Sequence, residues 1–321
     1  MSQPLVLDRH PRNARLWAVA RWTALVSVPI LLALLVWLPT PTLTALWYVV
    51  VPILPASFFL APALWRGTCP LASLNELGNR IGAPRALPDA TARALGVGGL
   101  LLFYLLVPGR HLLFNQHGPV LAATIAAVGA LAFVLGAVYD TRSAFCNALC
   151  PILPVEQLYG QAPLLRITRG RCDTCTVCTP RGCLDLAERK AVPQLMGAAR
   201  RTGAWLRTPL GAFYAALPGF VLGYNLVPDG PLATAGLVYG ITLGASLLSY
   251  LMVMLVVSVT GAEMASALPW IAAAAGGLYY WLAGPSVAVH LGAGSGVTWG
   301  VRVAGTGLVG VWCLRNLRQA A

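Results

Sequence analysis

Apolar stretches of about 20 residues, each long enough to cross a bilayer, recur so often in this chain that a water-soluble core is excluded. Eight are present, at about 18–38, 43–64, 95–114, 119–139, 209–227, 234–258, 267–287 and 294–314. With 58% hydrophobic and 10% charged residues, the 321-residue chain departs far from soluble usage. Backbone groups inside lipid must bond within their own segment, so each stretch is expected to be a helix. The expected fold is an all-α polytopic membrane protein with about eight transmembrane helices. The last two stretches are rich in Gly and Ala, and a six-span variant follows if they do not cross fully. Four spans make an N-terminal region (1–139), with a connection at 65–94. The one long extramembrane stretch is 140–208, and about four spans make a C-terminal region (209–321).

The formal net charge of +12 invites a nucleic-acid reading, but its distribution opposes one. With eight spans, every Arg and Lys except Arg110 and Arg302 falls on one side. That asymmetry places both termini and the 65–94 and 140–208 loops in the cytoplasm. The basic residues then serve as topology signals and contacts for anionic lipids, with docking of an acidic redox partner as a second use. Residues 1–38 resemble a signal peptide, yet the apolar run ends in Trp37-Leu38-Pro39 with no small-x-small cleavage site. An uncleaved first span is expected.

The first four spans read as two hairpins, and each returns the chain to a similar segment. Cys69-Pro70-Leu71 follows the first, and Cys150-Pro151-Ile152 the second. Aligning Cys69 with Cys150 also puts Leu74 on Val155 and Leu77 on Leu158. The match predicts an internal duplication in which each Cys-Pro opens a short amphipathic helix at the membrane surface. Leu164 to Thr168 is expected to form a short strand.

Seven of the eight cysteines lie in these two loops. Cys172, Cys175 and Cys178 are spaced by two residues, Cys183 follows, and Cys146 and Cys150 stand upstream. Triple two-residue spacing is the pattern of [4Fe–4S] ligation, in which three thiolates wrap one face of a cube. Zinc is the alternative, but its sites favour two separated knuckles or added histidine, and none lies between His117 and His290. Structural disulfides are disfavoured in a reducing compartment. A loop so rich in turn residues would draw much of its folding free energy from the metal.

Spans followed by Cys-x3-Cys-Pro and then Cys-x2-Cys-x2-Cys resemble the membrane-bound polyferredoxins typified by NapH, NosR and CcoG, over about residues 43–190. The resemblance implies a small cytoplasmic ferredoxin-like iron–sulfur insertion in the cytoplasmic membrane of a bacterium. It also implies electron transfer between the quinone pool and a redox partner facing the cytoplasm. The chain departs where Trp65 replaces a leading cysteine before Cys69, and where four residues precede Cys183 with Leu184 after it. Cross-ligation of the ferredoxin kind would give Cys172, Cys175 and Cys178 one cluster, with Cys150 or Cys183 as fourth ligand. The leftover cysteine would join Cys69 and Cys146 in a second cluster, completed by Cys313, Asp140 or Asp173, or holding three irons. A single cluster, with Cys69 and Cys146 as packing residues, fits the same residues.

Two further sets stand out. His111, His117 and His290 fall near the outer face beside Arg110, where they read as haem or quinone ligands or as interfacial side chains. Arg302 lies inside the last span, at a cost of about 2.5–3.5 kcal/mol on insertion scales. Tyr279 and Tyr280 reach a similar depth, so the three form a candidate quinone-binding set, with snorkelling of Arg302 as the alternative. No nucleotide-binding glycine pattern or catalytic triad is present. Two other functions share these features: an accessory protein that reduces a metal ion or disulfide for another complex, and a transporter or structural subunit with a regulatory cluster.

Overall fold

The structure, a computed structural model, describes residues 5–8, 14–140, 143–168 and 203–320. The four C-terminal residues of the cysteine-rich cluster, Cys172, Cys175, Cys178 and Cys183, lie outside the described residues, as does Asp173. All eight apolar stretches are helical. Helix α1 (Ala14–Trp37) is followed by α2 (Pro39–Ala45), a π-helical turn at Leu46–Val50 and α3 (Val51–Leu60). The wide turn precedes Pro52 and Pro55, whose rings crowd the carbonyls one turn back. Two short helices come next, α4 (Pro62–Thr68) and α5 (Pro70–Ile81).

The second hairpin is α6 (Asp89–Gly109), which runs on through a π turn at Arg110–Phe114, and α7 (Gly118–Val138). A short α8 (Leu153–Tyr159) leads to the C-terminal helices α9 (Pro209–Leu226), α10 (Ala235–Thr260), α11 (Met264–His290) and α12 (Ser295–Ala320). Thr208 caps α9, its Oγ1 accepting from the Gly211 N–H at 3.0 Å. Gly261 ends α10 with a φ of 65°, a left-handed conformation that glycine adopts without steric cost.

Six helical segments among the described residues are long and apolar enough to cross a membrane: Arg15–Trp37, Pro39–Leu60, Asp89–Phe114, Gly118–Val138, Leu232–Thr260 and Ser295–Arg318. The two others are α9 and α11, so the less apolar pair differs from the expected one: α12 belongs with the six. The reason is position. Helix α9 buries Phe213, Tyr214, Ala215, Ala216 and Leu217 in succession, as a helix enclosed on all sides does. Helix α11 packs against both α9 and α12. Large exposed side chains are densest on α10, among them Leu247, Leu248, Leu251, Met252, Leu255 and Val259. A face this apolar is at home in lipid and not in water.

The chain changes ends with each long helix. At one end Trp47 Nε1 donates to the Phe114 carbonyl at 3.1 Å, His111 meets Asp229 at 2.6 Å, and Tyr48 stacks on His290 at 3.8 Å. At the other end Arg21 pairs with Glu76 at 3.4 Å, and Arg315 donates to the Leu164 carbonyl at 2.9 Å. The main core joins α3, α9, α11 and α12 through Phe58, Phe59, Tyr214, Leu268 and Trp312. The expected strand is present as β2 (Leu165–Thr168), and it pairs in parallel with β1 (Leu5–Asp8), Leu5 opposite Leu165.

Candidate functional site

The two cysteine–proline turns have the same backbone conformation. Cys69 has φ −58° and ψ 122°, and Cys150 has φ −59° and ψ 118°. Proline disfavours the helical region for the residue before it, and here each cysteine ends one helical segment and redirects the chain. The Cys69 N–H donates to Trp65 O, and the Cys150 N–H closes a π turn (Phe145–Leu149) by donating to Phe145 O, both at 2.8 Å. Trp65, which takes the place of Cys146 in the first copy, sets its ring edge-on to Phe58, 6.1 Å between centroids.

Both turns pack against the bundle: α5 opens at Pro70 as an amphipathic helix, as expected, whereas α8 is buried along nearly its whole length. Helix α5 runs along the C-terminal half of α7: Asn75 donates to the Ala132 carbonyl at 2.8 Å and Asn79 to that of Tyr139 at 3.1 Å. The approach depends on small residues. A Cβ on Gly136 would lie 2.1 Å from the Asn75 carbonyl oxygen, and one on Gly99, halfway along α6, 2.8 Å from that of Leu149. Helix α5 therefore buries Ala72, Asn75 and Gly78. Leu71 and Leu74, the apolar face read from the sequence, line a cavity.

The turns also meet each other. Arg66, three residues before Cys69, forms an ion pair with Glu156, six residues after Cys150, and both side chains are largely buried. Gly160 is tight against Pro62, at 2.9 Å from a built Cβ to Pro62 Cγ. Cys69 and Cys150 are close enough to interact electrostatically, and the Leu153 N–H donates to the Cys150 carbonyl at 3.2 Å. Cys146 and Cys150 pack on Phe145, Leu149 and Ala132. Among the described residues, no group of three or more His, Cys, Asp or Glu side chains is gathered as a metal site. Cys313 lies in the main core, its thiol directed at the Pro269 carbonyl at 3.8 Å, the setting of a packing cysteine. Asp140 closes a turn, its carbonyl accepting from the Ser143 hydroxyl at 2.6 Å.

A cavity of about 860 Å³ runs from these turns toward the opposite end of the bundle. Pro70, Leu71, Pro151 and Ile152, which follow Cys69 and Cys150, wall one part of it. Trp47, Arg110, Tyr224 and Tyr279 wall another. Arg110 is held by Asn115 (Nε to Oδ1, 2.6 Å) and lies over the faces of Trp47 at 4.3 Å and Tyr48 at 5.6 Å. Asn115 in turn donates to both Asp229 oxygens at 2.8 and 2.9 Å. His111 faces Asp229 Oδ1 at 2.6 Å and the Tyr224 carbonyl at 3.0 Å. Burial pushes the Asp229 carboxyl up, but bonds from His111 and Asn115 and the nearby positive charges outweigh it and hold the group below its ordinary value.

The other sequence-derived residues separate. Arg302 donates from Nε to the Trp281 carbonyl at 2.9 Å and covers the rings of Trp281 and Trp299 at 4.8 and 5.3 Å. Trp281 and Trp299 are themselves exposed, so Arg302 lies toward the outer side of the bundle. Tyr280 is buried against Gly305 and donates to the Pro52 carbonyl at 3.1 Å, while its neighbour Tyr279 lines the cavity. Of the histidines, His111 is buried, His117 precedes α7 and His290 is exposed at the stack with Tyr48. The sequence pointed to His111 beside Arg110, but not to Trp47, Tyr224 or Asp229, because these come from separate segments of the chain. No family model, curated protein or solved structure matches this chain.

Proposed function

We propose that the chain is an iron–sulfur electron-transfer protein of a bacterial cytoplasmic membrane, passing electrons between the quinone pool and a redox partner on the cytoplasmic side. The observation that carries the reading is the pair of matched cysteine–proline turns meeting inside the bundle. Soft thiolates brought together by two matched turns suit a [4Fe–4S] cluster. In this reading Cys172, Cys175 and Cys178 hold one cluster, with Cys150 or Cys183 as fourth ligand. Cys69 and Cys146 serve a second cluster with the remaining cysteine. Bound there, the clusters supply one-electron chemistry. The chain's own part is to seat the thiolates, to keep water from the turns by packing them on α6 and α7, and to tie them together through Arg66 and Glu156.

All eight long helices cross the membrane in this account, α9 and α11 included, with both termini and the basic loops in the cytoplasm. The basic loops contact anionic lipid and the redox partner. Anaerobic protein in lipid nanodiscs tests the function. A short-chain quinol should reduce the clusters, and a quinone-site inhibitor should block the reduction. Clusters that ignore quinol but pass electrons to a metal ion or a disulfide would replace this function with an accessory one.

A further inference from the structure

We infer that the ring of an isoprenoid quinone binds at the Arg110 end of the cavity, the end of the bundle away from the basic loops. This deepens the quinone part of the proposed function and rests on it. The cavity is of the size and character of small-molecule sites, and its walls are almost wholly apolar. Arg110 is the one charged side chain among its lining residues. Ala126 and Ala130 of α7 line the cavity and are exposed, so it opens sideways to where a lipid-soluble molecule would enter.

The head end favours a ring over a phosphate. Trp47, Tyr224 and Tyr279 present flat aromatic walls, suited to stacking on a planar ring. The positive charge of Arg110 is balanced through Asn115 by Asp229, so the guanidinium offers hydrogen bonds to a carbonyl or phenol oxygen without calling for an anion. The His111–Asp229 pair stands behind Tyr224, where a proton-exchanging group would serve a ligand whose oxygens carry protons in one redox state only. Gly99 packs against the second cysteine turn and Arg110 lies farther along the same helical run. At 1.5 Å per residue the two levels are roughly 16 Å apart. One apolar chamber thus separates the ring from the turns.

Binding is read by quantifying quinone extracted from purified protein and by titrating short-chain ubiquinone and menaquinone against tryptophan fluorescence in nanodiscs. Arg110→Ala should weaken binding about tenfold or more, the loss of a charged hydrogen-bond donor. Thr124→Phe, which fills the chamber from α7, should do the same without touching Arg110, and stands as the test should Arg110→Ala not fold. Arg302→Ala should bind as the wild type does. Equal affinity in wild type, Arg110→Ala and Thr124→Phe would overturn the inference, as would loss in Arg302→Ala alone, or retention of phosphatidylglycerol with no quinone. Iron and sulfide are measured on the same samples. Arg110-dependent quinone binding in protein that holds no iron would support this site and remove the iron–sulfur reading.

Discussion

Arg66 and Glu156 form an ion pair that fastens the first cysteine–proline turn to the second, with side chains only 11% and 5% exposed. Two charges held so far from water depend on each other, and removing one leaves the other uncompensated. Glu156→Gln should destabilise the protein by about 3–5 kcal/mol. The double change Arg66→Met with Glu156→Leu should recover most of that loss, because an apolar pair carries no stranded charge. Thermal unfolding in detergent measures both. A double variant no more stable than the single one would show that the pair is not the link.

The glycines on which the turns rest should be intolerant of even a methyl group. The nearest atom to a Cβ at Gly136 is the backbone oxygen of Asn75, which cannot swing away. Gly136→Ala should cost about 1–3 kcal/mol. Gly96, on α6 with open space around a built Cβ, provides the contrast. Gly96→Ala should leave stability unchanged or raise it by up to about 1 kcal/mol, as expected of a helix interior. Equal effects at the two positions would contradict the close packing of α5 on α7.

Asp229 should give the protein an acid limit. Its folded value lies below the ordinary carboxylate value because the bonds and charges of His111, Asn115 and Arg110 outweigh its burial. A depressed group contributes stability that is fully present above the unfolded value of about 3.9 and is lost as pH falls through the lower folded value. Unfolding midpoints from pH 7 down to 3 should therefore decline near the acid end, and Asp229→Asn should flatten that part of the profile. A decline of the same size in Asp229→Asn would assign it to other groups.

The arginine distribution predicts that both termini face the cytoplasm. A reporter active only in the cytoplasm, fused after Ala321, should work, and one active only in the periplasm should not. Activity of the periplasmic reporter would reverse the orientation or make the number of spans odd.

Much of the helix framework was legible in the sequence because lipid demands long apolar runs, and the cysteine–proline repeat was legible because proline disfavours a helical residue before it. The depth of those turns was not. Leu71, Leu74 and Leu77 have the same spacing in a surface helix and in one packed within a bundle. Only the contacts of Ala72, Asn75 and Gly78 with α7 distinguish the two. The β1–β2 pairing escaped because it joins segments 160 positions apart, Leu5 with Leu165. Arg302 attracted attention by its place in an apolar run, but Trp281 and Trp299 draw it to the side of the bundle. Arg110, placed by the sequence beside His111 near the outer face, lines the cavity, and the π turn at Arg110–Phe114 continues α6 into the bundle's end.

Metal stoichiometry separates the two cluster counts. Cys69→Ala and Cys146→Ala should each remove about half of the iron and leave the other cluster's spectrum intact. Cys313→Ala should leave iron unchanged, as its place in the main core requires. No loss of iron in Cys69→Ala, from wild-type protein holding about four irons, would reduce the account to one cluster.

Iron and acid-labile sulfide analysis with electron paramagnetic resonance, on protein purified without oxygen, tests the central claim most directly. The account predicts roughly equal iron and sulfide, about four to eight of each per chain, and a reduced [4Fe–4S] signal that Cys175→Ser and Cys178→Ser abolish. Zinc in place of iron, or a full iron and sulfide complement retained in Cys175→Ser, would contradict it.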